Sequence, residues 1–189
     1  MSEFKVAIVG AGLSGSLLAN GLLNGGVDFT VYEAAPSVAR DDDENYQIRL
    51  GAPALAGFKR CLSPQQLAQL LPMFGRSGGM LSTAPILYDH ALQPLLDLTR
   101  YPVKAKTAPI DRAALREFLA APLEAAGRIK YSKRLTGFEV VQRAQRRKVR
   151  LIFDNSTEAE CDLLITAEGS QCKVPAIPLH RDQLPRIAR

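Results

Sequence analysis

Three glycines and one acid form the part of this chain best suited to chemistry: Gly10, Gly12 and Gly15, with Glu33 about 20 residues further on. Gly10 permits a tight turn out of an apolar run, Val6 to Val9. Gly12 removes a side chain where a diphosphate must approach the backbone, and Gly15 lets a helix lie close to a strand. The amides around Leu13 and Ser14 open that helix, where unpaired N–H groups and the macrodipole attract phosphate without a cationic side chain. Glu33 stands at the carboxyl end of a second strand-like run, Phe29 to Tyr32, in position to accept hydrogen bonds from an adenosine ribose. A carboxylate there repels a 2′-phosphate, so the expected adenylate is that of FAD or NAD, not NADP. A glycine triplet alone is a weak signal; strand, helix and spaced acid together make a dinucleotide-binding βαβ unit.

The elements that must position this unit fit the composition. The chain has 189 residues, 47% hydrophobic and 23% charged, with room for a sizeable core. After Glu33 the parallel-sheet pattern stops at a polar connector, Ala34 to Asn45, whose acidic run Asp41-Asp42-Asp43-Glu44 reads as solvated loop. Tyr46 to Leu50 alternates like a short strand. Gly51 to Leu71 has apolar residues at helical intervals interrupted at Ser63-Pro64, the signature of two short helices. Gly78-Gly79 marks a turn, Met80 to Tyr88 has strand character, and the Pro-punctuated remainder to Lys106 resists assignment. Asp111 suits the N-cap of a helix from Arg112 toward Ala126, with Leu115, Leu119 and Leu123 on one face and Gly127 as its stop. Pro122 is expected to kink or split it. From Ile129 to Thr166 the period changes to strands, read as a meander: Ile129 to Ser132, Phe138 to Gln142, Val149 to Phe153 and Asp162 to Thr166. The last and most apolar of these runs into Ala167-Glu168-Gly169, a small acidic turn at a strand's carboxyl end and hence a second candidate site.

Other chemistries find little support. The net charge of +5 concentrates only in Arg143 to Arg150, where no aromatic residues interleave, so the cluster reads as a solvated hairpin tip and not a nucleic-acid surface. Cys61, Cys161 and Cys172 are odd in number and without CxxC spacing, and only His90 and His180 accompany them. Neither a disulfide framework nor a metal site is expected, and the cysteines suit a reducing, cytoplasmic compartment. The apolar run after Lys5 reads as a strand, not a secretion signal, and no stretch is apolar enough over about 18 residues to span a membrane.

With these landmarks in order, the chain resembles the group A flavoprotein monooxygenases, the FAD-dependent hydroxylases related to para-hydroxybenzoate hydroxylase and common in aromatic catabolism and secondary metabolism. The resemblance runs from Phe4 to about Leu179. It is carried by Gly10/Gly12/Gly15 with Glu33, by Tyr46-Gln-Ile-Arg-Leu50, by Pro109-Ile-Asp-Arg112-x-x-Leu115-Arg116, and by Asp162-Leu-Leu-Ile-Thr-Ala-Glu168-Gly169-Ser-x-x-Lys-Val174. It implies a Rossmann-like FAD-binding α/β fold with an added antiparallel β-meander. Residues 1–175 would form the FAD-binding domain, with part of a substrate domain inserted around 75–108, and 176–189 an irregular tail. It implies that Glu33 binds the FAD ribose, that Arg112 reaches the flavin or its pyrophosphate, and that Glu168-Gly169 stands where the family has an Asp-Gly motif tied to FAD and NADPH handling. NAD(P)H would serve as transient reductant, O2 as co-substrate and a small, usually aromatic or polyketide-like molecule as substrate; no side chain stands out as a catalytic acid or base.

Two departures concern the last landmark: Glu168 is one methylene longer than the family's Asp, and Pro175 replaces an expected Arg. The chain also has no Gly-Asp dipeptide, a motif that the family places further on against the flavin's ribityl and diphosphate. The resemblance therefore implies the amino-terminal portion of that fold, apparently truncated, with a protein partner or self-association covering uncovered sheet faces. Two alternatives stay open: a non-catalytic remnant that binds an adenine dinucleotide weakly or acts as an interaction module, and half of an NAD-dependent dehydrogenase, disfavoured because no second βαβ repeat is expected after Glu33.

Overall fold

The structure, a computed structural model, describes residues 4–37, 46–75, 86–97, 107–143 and 146–169. The acidic run 41–44, the Gly78-Gly79 turn, Cys172, Pro175, His180 and the tail 176–189 lie outside these residues. Two compact units divide the chain, Met1–Arg40 with Arg116–Arg189, and Asp41–Leu115.

In the first unit β1 (Lys5–Val9), α1 (Leu13–Asn24) and β2 (Asp28–Tyr32) form the βαβ unit, β1 and β2 pairing in parallel with Val6 opposite Phe29 and Ile8 opposite Val31. Both faces of β1 are buried, which is why it reads as a continuous apolar run. Val6, Ile8, Phe29 and Val31 pack against Ala19 of α1 and Leu123 of α4 (Arg112–Ala125). Ala7, Val9 and Tyr32, pointing the opposite way, pack against Leu135, Leu151, Phe153 and Cys161. Those last four come from an antiparallel meander of β8 (Leu135–Arg143), β9 (Arg146–Phe153) and β10 (Glu158–Cys161). Tyr32 and Phe153 meet with ring centroids 4.8 Å apart. The parallel sheet is thus covered by helix on one face and by meander on the other.

Two strands, Ile129–Lys130 and Leu163–Thr166, leave the expected meander and join the parallel sheet at its two edges. β7 (Ile129–Lys130) lies parallel to β2, and β11 (Leu163–Thr166) lies parallel to β1, with Val6 opposite Leu163 and Val9 opposite Thr166. A second parallel crossover, ending α4–β7, therefore does follow Glu33. Its helix starts about 80 residues after β2, beyond most of the second unit, so no compact repeat is visible in the sequence. Asp162 fastens the start of β11, its N–H donating to the Lys5 carbonyl at 2.8 Å while its carboxylate accepts the Lys5 N–H at 2.9 Å. The strand β10 escapes the sequence pattern because it has only four residues, Glu-Ala-Glu-Cys, and two of them are charged.

The helix α4 runs through Pro122 as one helix rather than splitting. Leu119, Ala120 and Leu123 on either side of the proline are at most 1% exposed, and this burial outweighs one missing hydrogen bond. Its end is a Schellman turn: Gly127 has φ +64°, its N–H donates to the Glu124 carbonyl, and the Arg128 N–H donates to that of Leu123. Asn20, fully buried on α1, donates to the Leu119 carbonyl at 2.7 Å and locks the two helices together.

In the second unit β3 (Gln47–Leu50) pairs antiparallel with β6 (Ala108–Asp111), Ile48 opposite Ile110. Two helices follow β3, α2 (Ala52–Cys61) and α3 (Pro64–Leu70), divided where Ser63 and Gln66 form a reciprocal capping box. A hairpin of β4 (Ile86–Tyr88) and β5 (Pro94–Asp97) completes the described part. Asp111 caps α4 by accepting the Ala114 N–H at 2.7 Å.

Candidate dinucleotide-binding site

The turn between β1 and α1 is shaped by what glycine lacks. Gly10 has φ +104°, and a Cβ there would stand 2.5 Å from the Ala167 carbonyl oxygen at the end of β11. A Cβ on Gly15 would stand 2.0 Å from the Gly10 carbonyl oxygen and 3.2 Å from the Ala167 Cβ. Gly10 and Gly15 are therefore needed for packing. Gly12 differs: it has ordinary extended geometry, φ −69° and ψ −177°, and a Cβ there would meet only the Ala167 oxygen at 4.0 Å. Among the described residues nothing else stands beside Gly12, which leaves the room that an approaching diphosphate would need.

Gly12 is the N-cap of α1, and no side chain caps the helix. Leu13 and Ser14 form its first turn, Ser14 exposed, and no acid lies there to compete with an anion. The turn itself is held from several sides. The Gly10 N–H donates to the Tyr32 carbonyl at 2.8 Å. The Ala11 N–H donates to Glu33 Oε2 at 2.6 Å, and the buried Ser16 hydroxyl donates to the Ala11 carbonyl at 3.1 Å. Glu33 Oε1 accepts the Ala35 N–H at 2.9 Å. Glu33 thus reaches back from the end of β2 to the glycine turn, and the Ala11 amide that receives it had no signal in the sequence.

The candidate at the end of β11 stands beside the same turn, because the Ala167 N–H donates to the Val9 carbonyl at 2.7 Å. Glu168 follows half-buried, and Gly169 has φ +83°, the left-handed region that favours glycine. Ala167 is a further participant that the sequence pattern did not single out; its small side chain is what the close approach of Gly15 tolerates. Arg112 belongs to the second unit. There its N–H donates to the Tyr46 carbonyl at 3.2 Å and its guanidinium lies over the Tyr46 ring, 5.5 Å from the centroid, so two landmarks of the sequence meet through the β3–β6 pair.

Elsewhere in the first unit the charges are organised into ion pairs. On the meander Arg143 pairs with Glu160, and Arg150 faces Glu139, Glu158 and Glu160 at 3.6 to 3.8 Å. Two of the five basic residues of the sequence cluster, Arg143 and Arg150, belong to this surface network, which adds little stability, and a third, Lys148, pairs with Asp162 at 3.4 Å. Burial pushes the Cys161 thiol up to about 11. Among the described residues no group of three or more His, Cys, Asp or Glu is placed to hold a metal ion, and no helix is long and apolar enough to cross a membrane.

A parallel sheet with a glycine turn, an open helix N-terminus and an acid at the end of the second strand defines a Rossmann-like dinucleotide-binding fold. The sequence agrees: residues 8–68 match the family model of an NAD(P)-binding Rossmann-like domain. The chain is 32% identical over 173 residues to the FAD-dependent monooxygenase cctM of Talaromyces islandicus, covering 90% of this chain and 40% of that protein. Its fold matches a candidate FAD-containing monooxygenase of Photorhabdus luminescens with a TM-score of 0.69 at 22% identity, over 89% of this chain and 40% of the other. The FAD complex of an R204Q variant of HpxO from Klebsiella pneumoniae gives a TM-score of 0.62 at 22% identity, with the same coverage. In sequence and fold, then, the chain is similar to the amino-terminal portion of the FAD-dependent flavoprotein monooxygenases, and it spans about 40% of the length of these relatives.

Proposed function

We propose that this chain is an FAD-binding oxidoreductase segment of the flavoprotein monooxygenase type, working with NAD(P)H and O2 on a small organic substrate, aromatic or polyketide-like. The observation that carries the reading is the open space beside Gly12 at the uncapped start of α1, with Glu33 fixed next to it. In this reading the first amides of α1, from Leu13 and Ser14, bind the diphosphate, and Glu33 accepts the ribose hydroxyls. Arg112, steadied by Tyr46, is the cation for the flavin or its pyrophosphate, and Glu168-Gly169 lines the strand-end side of the cofactor. Bound FAD would supply the redox and oxygen-transfer chemistry; the protein's part is to bind, orient and shield it. Residues 1–175 serve as the FAD-binding domain, with 75–108 contributing to a substrate domain. A reductant of this kind is drawn from the cytoplasm, where we place the reaction.

The test is the visible spectrum of the purified chain after incubation with FAD and desalting, beside Glu33→Ala. Retained flavin that the substitution abolishes is the expected result. A folded sample that retains none would overturn the reading and leave the glycine fingerprint as architecture alone.

A further inference from the structure

We infer that Glu33 is also a positioning residue for the diphosphate subsite: by accepting the Ala11 N–H, its carboxylate sets the Gly10–Gly12 turn in the shape that aims the first amides of α1 at phosphate. The inference rests on the dinucleotide reading for its ligand, and on the ligand-free geometry for its mechanism.

Glu33 is held at both ends. Its backbone N–H donates to the Lys130 carbonyl at 2.9 Å and its carbonyl accepts the Lys133 N–H at 2.8 Å, so the end of β7 and the turn after it clamp it. Its two carboxylate oxygens are each taken by an amide, Ala11 at 2.6 Å and Ala35 at 2.9 Å. Ala11 is fully buried, and its own peptide groups are likewise taken at both ends, the N–H by Glu33 and the carbonyl by the Ser16 hydroxyl. Fixing those two groups fixes the peptide planes that lead into Gly12 and hence into the helix start. The Tyr32 carbonyl, at the end of the neighbouring strand, already accepts the Gly10 N–H. Without the carboxylate, a buried amide loses a charge-assisted bond and the turn must shift to find another acceptor.

A carboxylate has roughly four lone-pair sites, so the two amides leave capacity for ribose hydroxyls. The same side chain can therefore bind one half of an ADP moiety and shape the receptor for the other. Glutamine cannot reproduce this, since its one oxygen serves a single amide and its NH2 faces the second donor.

Two measurements test the inference. In the ligand-free chain, hydrogen exchange at the Ala11 amide should quicken by about tenfold or more in Glu33→Ala, which removes both acceptors, while the amides of β1 stay unchanged; equal exchange at Ala11 would overturn it. In binding titrations with ADP and with 2′,3′-dideoxy-ADP, which keeps the diphosphate and lacks both ribose hydroxyls, Glu33→Ala should weaken both by about tenfold or more. A dideoxy nucleotide that binds wild type and variant alike would show that Glu33 acts through ribose only, against the inference. Ser16→Ala loosens the same peptide from its other end and should weaken both nucleotides by one common factor; unchanged affinity would refute the importance of the turn's setting. If the wild-type chain binds neither nucleotide, the dinucleotide reading falls together with the diphosphate part of the inference, and the exchange result still decides whether Glu33 holds the turn.

Discussion

Gly12→Ala is expected to leave the ligand-free fold as stable as before while removing most of its affinity for a diphosphate. Three effects bear on stability. The backbone at Gly12, φ −69° and ψ −177°, is open to any residue, and the new Cβ would have the Ala167 oxygen at 4.0 Å, an ordinary contact, so strain is absent. Stiffening the unfolded chain stabilises by about 0.4–1 kcal/mol. Alanine is a poorer N-cap than glycine, and that costs about 0.5–1 kcal/mol. The two offset, and the urea midpoint should shift by no more than about 0.5 kcal/mol of stability. Binding is another matter. A phosphate oxygen accepting from the first amides of α1 sits about 2.8 Å from nitrogen, which brings it against the Gly12 Cα, so the added methyl competes with it for that space. Each charge-assisted bond lost in this way costs about 1.5–3 kcal/mol, or roughly 10- to 100-fold in affinity. Calorimetric titration with ADP or FAD measures it. An affinity within about threefold of wild type would refute the placement of the diphosphate beside Gly12. Gly15→Ala provides the contrast: its Cβ would lie 2.0 Å from a backbone oxygen, a contact no rotamer change relieves, so that variant should lose about 1–3 kcal/mol or more even without ligand.

Asn20→Ala should destabilise the first unit by about 2–4 kcal/mol in urea unfolding, because it strands the buried Leu119 carbonyl and leaves a cavity; Asn20→Leu, which fills the space without a donor, should not restore it. Asp162 contributes stability that depends on pH. The Lys5 N–H bonded to it, with the Lys148 ammonium nearby, holds its carboxyl below the usual range against the opposing effect of burial. The contribution is therefore full above about pH 4 and is lost as pH falls through the lowered value, so melting temperatures of wild type and Asp162→Asn should converge on acidification. In a chain whose Cys61 and Cys172 are replaced by serine, the remaining Cys161, its thiol raised to about 11, should react with a thiol reagent at pH 8 about a hundredfold more slowly than after unfolding in urea. Comparable rates would mean that the β9–β10 edge opens freely.

The sequence by itself determined the features that depend on near neighbours. The tight turn at Gly10, the helix start at Gly12, the division at Ser63-Pro64, the Asp111 cap and the stop at Gly127 follow from backbone sterics and hydrogen bonds that span a few residues. The strong β8–β9 pattern was legible too, since each strand is long enough to show its alternation. Only the tertiary structure decided which strands join the parallel sheet. Ile129–Lys130 is too short to have a period, and Leu163–Thr166, apolar and adjacent to meander strands, is drawn to β1 through pairings such as Val6 with Leu163 and the Asp162–Lys5 bonds, contacts that span 157 residues. The site shares this division. The acid at position 33 is visible from spacing, but its bond to the Ala11 amide and the approach of Ala167 to Gly10 arise only where β11 and β2 flank β1, because strand pairing is set by burial across the whole chain and leaves no local mark.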